Sequence, residues 1–101
     1  FNVALFISDS TDVPTAGTRV QINNTARMCR YIIFKARSGN TGAVYIGGSA
    51  VSAADGYALL VGDTPLALNF KDAGGSCPMS DFWVDAATNG NDVDWAAIIG
   101  P

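Results

Sequence analysis

Met28-Cys29-Arg30-Tyr31-Ile32-Ile33-Phe34-Lys35-Ala36-Arg37 decides how this chain folds. It is rich in β-branched and aromatic residues, holds neither Gly nor Pro, and carries no apolar stripe of helical period, so it reads as a strand. Side chains alternate between the two faces of a strand. Ile32 and Phe34 therefore share one face while Tyr31 and Ile33 occupy the other, and the strand is apolar on both sides.

Shorter runs of the same kind flank it. The pattern predicts strands near 2–7, 18–23, 28–37, 43–47, 57–61, 66–71, 81–86 and 93–99. Between them lie clusters of Gly, Asn, Asp, Ser and Pro, from Ser8 to Gly17 and from Asp72 to Met79 among others. Gly39 to Gly42, Asp55-Gly56 and Asn89-Gly90 supply turn positions that tolerate positive φ. Seven or eight short strands in 101 residues define an all-β chain: one antiparallel β-sandwich or jelly-roll-like domain spanning residues 1–101.

Alternation assigns the faces. Leu66, Leu68 and Phe70 oppose Ala67, Asn69 and Lys71, and Val20 and Ile22 oppose Arg19, Gln21 and Asn23. Val93, Trp95, Ala97 and Ile99 share a face, which makes Trp95 a core residue. Three strands break the rule. Trp83 falls opposite Phe82, Val84 and Ala86, on an outward face flanked by Asp81 and Asp85. Phe6 and Ala4 oppose Val3, Leu5 and Ile7, and the 28–34 run is apolar on both sides. A domain this small hides only about 60–65% of its surface. The surplus apolar faces therefore call for a partner, and Phe1, Val3, Phe6, Tyr31, Tyr45, Tyr57 and Trp83 are the candidate interface residues.

Composition points away from catalysis. The chain has no His and no Glu; its nine acids are all Asp, set against six bases, for a net charge of −3. Nucleophile–His arrangements are impossible, and carboxylate pairs such as Asp92/Asp94 or Asp81/Asp85 lie on strand faces that offer no cleft. The chain reads as non-enzymatic, with no cofactor. Without a basic run it has no footprint for nucleic acid. Gly47-Gly48-Ser49 lacks the Lys and helix of a phosphate loop and reads as a strand end. Asn89 to Asp94 gathers hard oxygen ligands, and the readings there are a Ca²⁺ loop or, favoured, a plain Asn-Gly hairpin turn. No stretch reaches the ~20 apolar residues of a membrane span. The opening residues lack the pattern of a signal peptide, and Phe1 is not expected to follow an initiator methionine directly. Asn23-Asn24-Thr25 matches a glycosylation sequon but reads as a turn. Cys29 and Cys77 are expected as free thiols, although one bridge is possible. Exposed Trp83, Tyr45 and Tyr57 also admit stacking on sugars as an alternative to a protein interface.

Residues 40–62 carry a resemblance. Asn40-Thr41-Gly42-Ala43-Val44-Tyr45-Ile46-Gly47-Gly48-Ser49-Ala50-Val51, followed by Asp55-Gly56-Tyr57-Ala58-Leu59 and Gly62-Asp63, resembles small virion proteins of tailed bacteriophages. The similarity extends through Leu66–Phe70, Phe82-Trp83-Val84, the Asn-Gly turn and the closing strand to residue 99. It implies a head decoration (cement) protein on the capsid surface, assembled in the host bacterial cytoplasm. Such a protein binds the major capsid protein and sister subunits, often as trimers, and has no catalytic residues. The alternative is a carbohydrate- or receptor-binding module of a head or tail fibre.

Overall fold

A computed structural model describes residues 4–25, 27–70 and 75–100. The described residues form nine strands: β1 (Leu5–Val13), β2 (Val20–Gln21), β3 (Met28–Ala36), β4 (Val44–Gly47), β5 (Tyr57–Leu59), β6 (Leu66–Asn69), β7 (Cys77–Pro78), β8 (Trp83–Ala86) and β9 (Asn91–Ile99). They make two sheets, with every strand pair antiparallel. Sheet A runs β1-β9-β3-β6, with β7 also paired to β3, and sheet B runs β2-β8-β4-β5. With the two-residue β7 set aside, four strands lie in each sheet and the chain changes sheet at most connections. That is a jelly roll, in which two sheets bury their inner faces against each other. The expectation of an all-β sandwich holds.

The longest departure from the sequence reading is β1. Ser8 to Gly17 is expected as a separator, yet β1 runs on through Val13 in one-to-one register with β9, from Leu5↔Ile99 to Val13↔Asn91. An unbroken ladder with β9 pairs the backbone groups of alternate residues from Ser8 to Asp12, and that outweighs the weak strand propensity of Ser and Asp. Thr11 contributes further: its Oγ1 accepts from Trp95 Nε1 at 3.1 Å and donates to the Ile22 carbonyl at 2.9 Å. This satisfies the polar end of a Trp that is otherwise buried in the core as expected. The other boundary changes are smaller. β7 arises within the expected Asp72–Met79 loop, and a 3₁₀ turn (Met79–Asp81) precedes β8.

The core lies between the sheets. Ile32 and Phe34 from β3 meet Val44, Val84 and Leu59 from sheet B, and Phe82 packs edge-on against Phe34 with ring centroids 5.6 Å apart. One strand-face assignment is corrected. Asp85 is only 3% exposed, because the loop after β1 folds over it. Its Oδ1 accepts from Gly17 N at 2.9 Å and from its neighbour Ala86 N at 2.8 Å. It is a buried loop anchor, not a solubilising acid.

The Asn-Gly turn is corrected as well. β8 and β9 lie in different sheets, so Asn89-Gly90 turns an inter-sheet corner and closes no hairpin. Gly90 has φ 82° and Gly39 φ 102°, and no described non-glycine residue has positive φ. The asparagines act through their side chains instead. Asn40 donates to the Asp92 carbonyl and accepts from the Asp92 amide, at 2.7 and 2.9 Å. Asn89 and Asn91 accept from the Ala16 and Thr41 amides. Asn23 accepts from Thr25 N, closing the expected turn.

Gly56 serves a different need from the one expected. Its φ is not positive; it makes room. A Cβ there would lie 2.7 Å from Val51 Cγ2 and 2.9 Å from Tyr45 Cβ, while one on Gly47 would lie 2.8 Å from Val51 Cγ2. Register puts Tyr45, Gly47 and Asp85 on the outer face of sheet B. The 48–56 loop therefore folds back over that face and plugs it with Val51, 2% exposed. Overpacking costs about 1–3 kcal/mol. Gly56→Ala should lower the melting temperature by about 5–15 °C in calorimetry, and Val51→Ala in the same chain should recover part of the loss. Gly48→Ala, with open space around it, should leave the Tm unchanged.

Candidate assembly surface

The outer face of sheet A is built in rows across the strands. Register aligns Phe6, Ile98, Tyr31 and Asn69 in the first row, and Ser8, Ala96, Ile33 and Ala67 in the second. At the other end of the sheet come Ser10, Asp94 and Lys35, then Asp12 and Asp92. The face is thus apolar at one end and charged at the other. A β-bulge shapes the apolar end. β3 slips against β9 between Cys29 and Tyr31, so Arg30 and Tyr31 together oppose Ile98. Phe6 is 72% exposed, Ile98 39% and Tyr31 37%. Leaving this much large apolar side chain in water in one corner costs free energy that a partner would recover.

The same corner carries an open edge. Within sheet A, β1 pairs only with β9, so one side of a nine-residue strand has no partner strand among the described residues. An unpaired edge of that length invites another strand. Sheet B is edged instead by β2 and β5, of two and three residues.

At the charged end Arg37 Nη1 donates to Ser10 Oγ at 2.7 Å, and Ser10 Oγ donates to Asp94 Oδ1. Arg37 and Asp94 form an ion pair at 3.6 Å whose side chains are too exposed to contribute much. Asp12 and Asp92 are directly opposed on neighbouring strands. Partial desolvation, then the hydrogen bond with Asp12 and its charge, hold the Asp92 carboxyl above its usual value of 3.8, against the opposing pull of Arg37. Among the described residues no group of three or more His, Cys, Asp or Glu side chains is placed to hold a metal. Of the Asn89–Asp94 oxygens, the amide oxygens of Asn89 and Asn91 are engaged by backbone amides.

The structure divides the candidate interface residues. Phe6 and Tyr31 share the apolar corner of sheet A. Tyr57 and Trp83 instead line a separate groove of about 720 Å³ on the open side of the sandwich, with Leu66, Leu68, Phe82 and Cys77. Trp83 is half-buried there, more covered than the expected outward anchor, beside Gln21 and Gly47 in register. Tyr45 is half-buried against Gly56, under the 48–56 loop. Phe1 and Val3 lie outside the described residues. Sequence reasoning missed Ile98. The signal for Ile98 was present, because Trp95, Ala97 and Ile99 pointing inward forces Ile98 outward.

No protein-family model matches the chain, and no curated protein does. Among solved structures, a chain described in "Bacillus endospore appendages form a novel family of disulfide-linked pili" superposes with a TM-score of 0.58. The two are 12% identical, and the match covers 98% of this chain and 86% of that one. At that identity the likeness is one of fold: the whole sandwich is shared.

The Asp12–Asp92 pair gives a pH test. A carboxyl whose pKa is raised on folding makes the native state bind protons more readily than the unfolded chain, so the associated stability is present at low pH and is lost as pH rises above 3.8. Asp12→Asn should therefore raise the Tm by about 2–4 °C at pH 7. The gain should vanish at low pH, where the Asp92 carboxyl is protonated and no longer repels its neighbour. A gain that persists unchanged at low pH would assign the effect to something other than repulsion.

Proposed function

We propose that the protein is a non-enzymatic structural subunit that packs against copies of itself in an ordered surface assembly. The observation that carries this reading is the exposed corner of Phe6, Ile98 and Tyr31 beside the open edge of β1. A strand edge supplies directional hydrogen bonds and an adjacent apolar patch supplies burial; together they fix both register and affinity. The fold likeness to a chain from Bacillus endospore appendages, described as pili, supports a self-assembling role. Weak contacts repeated along an ordered assembly add up to strong attachment.

The particular setting we propose is the capsid surface of a tailed bacteriophage. The resemblance of residues 40–99 to head decoration proteins supports it, and the major capsid protein is then the second partner. The groove flanked by Trp83 and Tyr57 supports a second reading, a carbohydrate- or receptor-binding module, in which the two aromatics stack on sugar rings.

The double substitution Phe6→Ser with Ile98→Ser separates these readings. Both residues are exposed, so the variant should fold with an unchanged circular dichroism spectrum. Light scattering of the unsubstituted protein should report a particle larger than a monomer, and the double variant should shift to monomer with at least a tenfold weaker association. A protein that is monomeric at all concentrations, with glycan binding that Trp83→Ala removes, would replace assembly with sugar recognition.

A further inference from the structure

We infer that Cys29 and Cys77 form an oxidation site, at which a small-molecule disulfide such as oxidised glutathione converts the two thiols into an intramolecular bridge between β3 and β7. The two residues are directly opposed partners in the antiparallel β3–β7 ladder. Directly opposed residues project from the same face of a sheet. Cys29 is fully buried, and Cys77 is half-buried and packs against the same core while lining the open groove. Neither thiol is bridged in this structure.

The hydrogen bonds fix which kind of pair this is. Met79 N donates to the Arg27 carbonyl at 2.9 Å, flanking the Met28↔Pro78 pair. In an antiparallel ladder that makes Met28↔Pro78 the non-hydrogen-bonded pair and Cys29↔Cys77 the hydrogen-bonded one. Hydrogen-bonded partners have Cα atoms about 5.5 Å apart, inside the ~4.4–6.8 Å range of disulfides. Their Cβ atoms stand about 1 Å farther apart than in a bridge, so closure requires the two strands to draw together locally. β7 has only two residues and is held to β3 by two residue pairs, which lets it move the required distance of about 1 Å or a little more.

Access dictates the order of events. Burial, and then the neighbouring Cys77, push the Cys29 thiol up to about 11, while burial and then Asp81 raise Cys77. Cys77 Sγ lies 3.7 Å from Asp81 Oδ2. Cys77, on the groove side, therefore attacks first, as the thiolate. It displaces one glutathione thiolate and leaves a mixed disulfide on Cys77. The Cys29 thiol then loses its proton to water, and its sulfur attacks Cys77 Sγ, expelling the second glutathione as a thiolate. The two cysteines lose two electrons and two protons, and the small disulfide becomes two thiols. The product closes a loop of roughly 50 residues and ties down the strand that borders the groove. This site is independent of the assembly proposed above.

The test uses the whole chain, folded, incubated with oxidised glutathione. Intact mass should fall by about 2 Da with no thiol left to alkylate. The Tm should rise by about 5–10 °C over the reduced protein and return on reduction. Cys77→Ala should keep a Tm close to the reduced form and show no rise with the oxidant. Two alkylatable thiols after incubation, a persistent single glutathione adduct, disulfide-linked dimers on a non-reducing gel, or a bridged form no more stable than the reduced one would each overturn the inference.

Discussion

Strand β9 is hydrogen-bonded on both sides, to β1 along nine residues and to β3 along most of its length. Everything else in the molecule is arranged around that pairing. Its inner face, Val93, Trp95, Ala97 and Ile99, supplies the floor of the core. Its outer face brings Ile98 and Ala96 between Phe6 on one side and Tyr31 and Ile33 on the other. Without β9 the polar run Ser8 to Asp12 would have no reason to be extended, because its own side chains favour turns. The bulge in β3 is a second consequence: it absorbs the mismatch between the two strands and turns Tyr31 outward at the apolar corner.

The two sheets solve the problem of a second face differently. Sheet B covers its outer side with its own loops. Val51 folds back over Gly47, and the loop after β1 caps Asp85, so much of that face is covered. Sheet A receives no such cover, and its outer face is left apolar at one end and charged at the other. Local loop folding therefore decides which outer face remains available, and the glycines at 47 and 56 are as much a part of the candidate surface as Phe6 is.

Much of this was legible in the sequence. Period-2 alternation placed Trp95 inward, grouped Leu66 with Leu68 and Phe70, and set Phe6 opposite Ile7, because a strand has no freedom about which face a side chain takes once its neighbour is assigned; the 28–34 run it left apolar on both faces. The strands at 43–47, 57–61 and 66–71 fell within a few residues of β4, β5 and β6. Asp85 and Trp83 were read by the same rule and placed on the outer face correctly, but their exposure was not. Alternation assigns a face and says nothing about which loop returns to cover it. The asparagines were read for backbone freedom and turned out to work through side-chain amides that reach other loops.

The amino-acid sequence by itself determined that this is an all-β chain without the His and Glu of common catalytic sites, with more apolar strand surface than one small core absorbs. Those properties follow from residue type and local spacing. Only the tertiary structure decided where the surplus goes. Pairing between residues far apart in the chain extends β1, sets Cys29 opposite Cys77, separates Trp83 and Tyr57 from Phe6 and Tyr31, and leaves one sheet face uncovered. Such contacts depend on register and sheet order, which are fixed by the packing of the whole chain and leave no local periodic signal.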